Sequence, residues 1–457
     1  MSVTREIVRF VNGARYGDMP PAAVVATKGA ILNILGNCVA GTRTRIGAMH
    51  IETAMDMGGG RDQATILGNG ARVSVPLAAY ANGNLAFALD YEDTLYYITH
   101  PGFITVSVGL AVAEQRGRSG QDLLLAICLG YEVLGRMGPA MQPTPERGRQ
   151  VFGEQYHPFG GAVTAGKLLG LGEEAFDSAF GIAGTYASVP SAYKYFGVVA
   201  ETRPMREVKL GWGWMSMAGT LAALSAERGF AGGHGVLDGP HGFHVMAGSD
   251  RIDLARLTRD LGTRWLVTDT EFKVYPAIAR NTPPHVATRA LVTEHGIRPE
   301  DIARITVRGM QMHLVGDFDP KSAVDAQFSL PYAVATAALR LEPGPGLYDD
   351  TRLHDPMLRG LLTRIVLEHD TAADALFFNE QRQKFTVSIE LESGRRVERA
   401  IEFPREQPRL DWTGLSSKFR NLCDGILPSG QITEAIERVE GLDRETDIGR
   451  LIRTLIP

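Results

Sequence analysis

The stretch Ala86-Phe-Ala-Leu-Asp-Tyr-Glu-Asp-Thr-Leu-Tyr-Tyr-Ile-Thr-His-Pro-Gly102 decides how the chain is read, because three acids, a threonine and a histidine follow directly on an apolar run. With residues 86 to 94 helical, Asp90 and Thr94 lie four apart on one face with Asp93 beside them. Pro101 and Gly102 then hold His100 in a turn or loop within reach of a ligand. A carboxylate next to an imidazole can orient it and tune it for proton transfer. The same acids also resemble a magnesium-binding cluster or an ordinary solvated helix end.

The surroundings of this stretch are helical. Residues 21 to 40, 75 to 93, 103 to 116 and 120 to 136 carry Ala, Gly and Leu at helical spacing. Gly117-Arg-Ser-Gly120 joins the last two, with Ser119 as N-cap. Further helices are expected at about 160 to 169, 173 to 188, 214 to 228 and 250 to 260. So many small residues predict closely packed helices, and residues 1 to 265 read as an all-helical domain.

The pattern changes near residue 270. Ala303–Arg308 and Thr363–Glu368 read as strands, and Phe385–Glu392 with Arg395–Phe403 as a hairpin around Ser393-Gly394. Residues 284 to 295 and 325 to 341 read as helices, which gives a small α+β domain. The helical pattern returns at 412 to 424 and 430 to 438. The fold class is mainly α, with the division 1–268, 269–407 and 408–457, the tail rejoining the first domain.

At 457 residues the chain exceeds what one core usually serves. Its formal net charge of −5 offers no basic field for nucleic acid or acidic membranes, so an anionic substrate needs locally clustered cations. Three distant cysteines, Cys38, Cys128 and Cys423, have no metal-ligand spacing, and a reducing cytoplasm fits. The N-terminus interrupts its apolar positions with charges and reads as an amphipathic helix rather than a secretory signal. The apolar stretches at 103 to 114 and 122 to 135 read as core helices too short to span a bilayer.

Other candidates lie further along. Lys209 sits in an aromatic, small-residue stretch where a cation is costly unless it functions or snorkels. Lys273 lies where the two patterns meet, and interdomain clefts commonly take ligands. Arg203 and Arg280 are nearby cations for which surface roles are the default. The Gly-rich segment 229 to 244 has three histidines but neither a GxxxxGK[ST] motif nor a preceding strand, and reads as a compact loop needing glycine for positive φ.

Together, these segments resemble the MmgE/PrpD family over nearly the whole chain. The resemblance is carried by Asp90-Tyr-Glu-Asp-Thr94 with Thr99-His-Pro101, Gly130-Tyr-Glu-Val133 with Arg136, and Gly160-Gly-Ala-Val-Thr-Ala-Gly-Lys-Leu-Leu-Gly-Leu171. It continues through Lys209, Gly213-Trp214, Gly229-Phe230, Phe272-Lys-Val-Tyr-Pro276 and Gln327-Phe-Ser-Leu-Pro-Tyr332.

The resemblance implies a helical domain with an inserted α+β lid, a homodimer, no metal or organic cofactor, and a small carboxylated substrate. It places Asp90, Thr94, His100, Lys209, Lys273 and Tyr332 in the pocket. His100 would move the proton with Asp90 orienting it, while Lys209 and Lys273 hold carboxylates and stabilise developing charge. Thr94 and Tyr332 would add hydrogen bonds or a second proton. Glu92 and Asp93 are then supporting or surface groups, and His157 is a further substrate-binding candidate.

Three departures alter the pocket walls. The family's histidine before the Gly160 run often lies upstream of His157; Ile278 stands where a Cys or His is common, with the next histidine displaced to His285; and the Lys209–Gly213 segment is one residue short. The expectation is a cofactor-independent lyase, a hydro-lyase first, with epimerase or decarboxylase chemistry as alternatives. From other classes come a magnesium-dependent helical cyclase and a binding protein that has kept the fold.

Overall fold

The computed structural model describes residues 2–58, 62–96, 98–148, 150–152, 155–188, 191–192, 203–311, 315–380 and 382–457. The chain is largely helical and divides into two compact units, one of Met1–Ala192, Leu210–Phe272 and Leu410–Pro457, the other of Tyr193–Lys209 and Lys273–Arg409.

The first unit is built on helices with no polar face. Pro21–Gly41, Val75–Phe87, Pro101–Arg116, Gly120–Ala140, His157–Leu169 and Gly213–Glu227 bury most of their length. All-round burial is what their all-round apolar sequences require. Val3–Gly13 is amphipathic instead and buries Ile7, Val8 and Val11. Small residues set the spacing: a Cβ on Gly219 would lie 2.8 Å from the Gly161 Cα, so the helices Gly213–Glu227 and His157–Leu169 cross backbone to backbone. Ser119 forms a capping box with Asp122, and Gly117 takes φ 59° at the end of the preceding helix.

Two helices, Pro21–Gly41 and Gly120–Ala140, are long and apolar enough to cross a membrane, which corrects the reading of 122 to 135 as too short. Their apolar windows are 72% and 100% buried within the protein.

Three further expectations change. The helix drawn to residue 93 ends at Phe87, and Asp93–Thr94 is instead a short strand paired antiparallel with Glu271–Phe272. Asp90 has a left-handed backbone, φ 49°, which ends the helical path and removes the proposed Asp90–Thr94 face. The helix expected at 250 to 260 shrinks to Leu254–Thr258, capped by Asp253.

The second unit holds a four-stranded sheet in the order Arg396–Phe403, Gln383–Leu391, Ile302–Gly309, Ile365–His369. The first three strands are antiparallel and the last pair is parallel. Ile305 and Val307 are buried, with Ile305 opposite both Ile365 and Ile389, so the alternation in sequence sets the register. Gly394, φ 80°, turns the hairpin.

Helix Thr282–Glu294 packs on the two hairpin strands. The single helix expected at 325 to 341 is broken into Ala323–Gln327 and Leu330–Ala338. Ser329 caps the second by accepting from the Tyr332 N–H, and Pro331 fits only in a first turn.

Candidate active site

Four of the expected site residues, Asp90, Thr94, His100 and His157, lie in the first unit. The loop carrying the first three is fastened through its main chain. The Tyr91 carbonyl accepts from Lys418 Nζ at 2.7 Å and Asn37 Nδ2 at 3.2 Å. Lys418 also stands 3.6 Å above the Tyr91 ring, a cation–π contact for a buried lysine. The Leu95 and Thr99 backbones bridge each other, closing the turn that leads to His100. His100 is the N-cap residue of Pro101–Arg116, with Pro101 in the first turn where its missing N–H costs nothing.

The orientation of His100 follows from its partners. Its Nδ1 lies 2.9 Å from the main-chain oxygen of Asp93, which can only accept, so Nδ1 carries the hydrogen. Glu92 Oε1 lies 2.9 Å from the same nitrogen. In the neutral ring the lone pair is therefore on Nε2.

Glu92 thus brings a carboxyl group to the imidazole, beside the role expected for Asp90. Glu92 and Asp93 are both fully buried, not surface groups. Asp90 is buried as well, on the left-handed turn that precedes Glu92.

Asp93 is held from two sides. Its Oδ2 accepts from the Tyr131 hydroxyl at 2.7 Å. Its Oδ1 lies against the first turn of Pro101–Arg116, where only a glycine fits: a Cβ on Gly102 would collide with it. Burial pushes the Asp93 carboxyl up to about 6; the Tyr131 hydrogen bond opposes that rise and the neighbouring Glu92 adds to it. Burial first, and then the same carboxyl, raise Tyr131 well above the usual phenol range.

His157 opens the helix His157–Leu169 and is fully buried. Its Nε2 accepts the main-chain N–H of His100 at 3.3 Å, and Thr99 Oγ1 lies 3.4 Å away. That contact makes it a support for the His100 backbone. Both histidines belong to one aromatic cluster: Phe87 meets His100 edge-on at 5.6 Å and stacks on Trp212 at 5.0 Å, while Tyr156 stacks on His157 at 4.9 Å. The apolar walls exclude water and strengthen every electrostatic contact inside them. Thr94 is buried, and its hydroxyl donates to the Thr99 carbonyl at 3.3 Å.

The other expected residues belong to the second unit. Lys209 lies in a short 3-10 turn, Glu207–Leu210, and its side chain falls outside the described residues. Lys273 is buried. Tyr332 is buried and stacked on Tyr348, and its hydroxyl donates to the Leu347 carbonyl at 2.7 Å. The hydroxyl expected to add a hydrogen bond or a second proton is therefore engaged in packing beside the 345–348 turn. Arg203 bridges Asp317 at 2.8 Å and Asp325 at 3.1 Å, and Arg280 lies over the Phe377 ring at 5.1 Å.

His285 is buried and stacked on Tyr275 at 4.0 Å, and burial pushes its imidazole down to about 3. Such a ring stays neutral. Among the described residues no group of three or more His, Cys, Asp or Glu side chains is placed to hold a metal ion. In the Gly-rich segment, Gly229, Gly235 and Gly239 take positive φ, and His234 meets buried Asp177.

A largely helical protein with a buried acid–imidazole pair in an apolar enclosure has the parts for proton transfer. Residues 5–254 match the MmgE/PrpD N-terminal domain and residues 275–443 the MmgE/PrpD C-terminal domain, and the chain belongs to this family. It is similar to the cis-aconitate decarboxylase of Mus musculus, 26% identical over 99% of this chain and 93% of that protein. It also resembles those of Homo sapiens, 28% identical over 80% of this chain and 77% of that protein, and Aspergillus terreus, 23% identical over 99% and 96%.

Proposed function

We propose that the chain is a lyase for a small carboxylated substrate that works by proton transfer at a carbon next to a carboxylate, using side chains alone. The observation that carries this reading is His100, held through Nδ1 by Asp93 and Glu92 so that Nε2 is the basic nitrogen. Membership of the family supports the substrate class.

In an elimination of water, Nε2 takes the proton, the electron pair moves into the adjacent carboxylate as an enediolate, and the C–O bond beyond it breaks as the imidazolium gives its proton to the departing hydroxide, which leaves as water. In a decarboxylation, the C–C bond to one carboxylate breaks and CO2 departs. The electron pair stays on carbon, conjugated to a second carboxylate, and His100, entering this reaction protonated on Nε2, donates that proton to the carbon and is left neutral. The same residues serve both, since each passes through a carbanion stabilised by a carboxylate.

The sequence alone favours dehydration as the first reading, and the activity named for the relatives favours decarboxylation as the second. Lys209 and Lys273 are assigned to the substrate carboxylates on the family pattern at those positions. With the Tyr332 hydroxyl engaged, Thr94 and Asp90 are the better candidates for the remaining polar contacts. A cytoplasmic homodimer completes the proposal.

The test is a panel of small di- and tricarboxylates, cis-aconitate among them, followed by NMR in D2O. Deuterium incorporation with CO2 release identifies a decarboxylase, loss or gain of water a hydro-lyase, and inversion alone an epimerase. No turnover and no exchange across the panel would sink the proposal.

A further inference from the structure

We infer that Glu92 is a positioning residue: it forms, with the main-chain oxygen of Asp93, a two-point clamp on His100 Nδ1 that fixes both the tautomer and the direction of Nε2. This inference rests on His100 being the proton-transfer group.

Two acceptors on one N–H, each at 2.9 Å, over-determine the ring. The carbonyl alone fixes which nitrogen is protonated. The carboxyl adds what a carbonyl cannot, a formal charge facing the imidazolium that proton transfer creates, in a site where Glu92 is fully buried and His100 nearly so. The clamp is itself fixed from behind. Asp93 is bound by Tyr131 and by strand pairing with Phe272, and Tyr91, between Asp90 and Glu92, is fixed by Lys418 and Asn37.

The ring faces are set independently by Phe87, edge-on at 5.6 Å, and the backbone N–H by His157. Partners that hold a metal-bound imidazole through its second nitrogen cost ~10–100-fold in affinity or activity when removed, and the same order is expected for a ring whose Nε2 moves a proton. Glu92 is thus an acid buried against the imidazole, beside Asp90, the residue the family pattern brings forward.

Two variants test this, Glu92→Gln, which keeps an acceptor oxygen and loses the charge, and Glu92→Leu, which loses both. The first readout needs no substrate: the His100 Nδ1–H proton resonance, assigned with the His100→Gln variant. Shared with a buried carboxyl, it lies far downfield in the wild type and moves upfield in Glu92→Gln and further in Glu92→Leu. The second readout is kinetic. On the substrate found in the panel, kcat falls about tenfold in Glu92→Gln and about a hundredfold in Glu92→Leu, with KM within about twofold, because ground-state binding does not need the clamp.

An unmoved resonance, or a kcat within about twofold of wild type in Glu92→Leu, overturns the inference. If Glu92→Leu does not fold, the isosteric Glu92→Gln decides by the same two readouts. Should the wild type turn over none of the carboxylates, the proposed function fails while the resonance still decides the clamp.

Discussion

Replacing Asp93 by Asn should stabilise the first unit in a pH-dependent way. The Asp93 carboxyl is fully buried and pushed up from 3.8 to about 6, so ionising it in place is costly. That rise is about two pH units, and at ~1.4 kcal/mol per unit the cost approaches ~3 kcal/mol. The unfolded chain releases the proton near pH 4 and the folded chain only near 6. Stability therefore declines across that window as pH rises, and levels off above it.

An Asn keeps an oxygen to accept from Tyr131 and has nothing to ionise. The variant should match the wild type near pH 4 and exceed it by ~2–3 kcal/mol at pH 8. The assay is urea unfolding followed by tryptophan fluorescence. All four tryptophans, Trp212, Trp214, Trp265 and Trp412, lie in the first unit, so the signal reports on it alone. A stability difference that is the same at pH 4.5 and pH 8, or that grows toward low pH, would refute the reasoning.

Three further outcomes follow from the same loop. Gly102→Ala should destabilise the first unit by ~1–3 kcal/mol in the same urea assay, because the added methyl meets the Asp93 carboxyl, Ile34 and the Tyr131 hydroxyl. Tyr131→Phe removes the donor to a buried carboxyl and should cost ~1–3 kcal/mol, less near pH 4 where Asp93 is neutral. Lys418→Met deletes both the hydrogen bond to Tyr91 and the cation–π contact. It should reduce kcat more than it raises KM in the steady-state assay, since it loosens the loop that positions Glu92 without touching the ring.

The helices and strands were legible because their apolar periods are strong. Ile305 and Val307 alternate as a sheet demands, and Ser119 with Asp122 announces a helix start. The Gly130-Tyr-Glu-Val133 motif was visible, but its meaning was not. Tyr131 serves Asp93, and Glu132 pairs with Arg136 at 3.1 Å across one helical turn. An i,i+4 acid–arginine spacing in an apolar helix was the available signal for that pair.

The Glu92 contact was hidden by a local event. The helix ends at Phe87 and Asp90 takes a left-handed backbone in the irregular loop that follows; aspartate tolerates that conformation better than most non-glycine residues, but the preference is too weak to mark the position in sequence. Likewise Tyr332 looked like a proton donor because burial and partner cannot be read from its motif, whereas its hydroxyl is engaged with Leu347. Ser329 and Pro331 were in plain view and should have divided the 325 to 341 helix.

The most direct measurement is deuterium incorporation from D2O into a small polycarboxylate, followed for wild type and His100→Ala at equal protein concentration. Acid–base catalysis by a placed histidine predicts deuterium at the carbon next to a carboxylate in the wild type, and a rate lower by ~10²–10⁴-fold in the variant with its fold intact. Exchange at an undiminished rate in His100→Ala would contradict it.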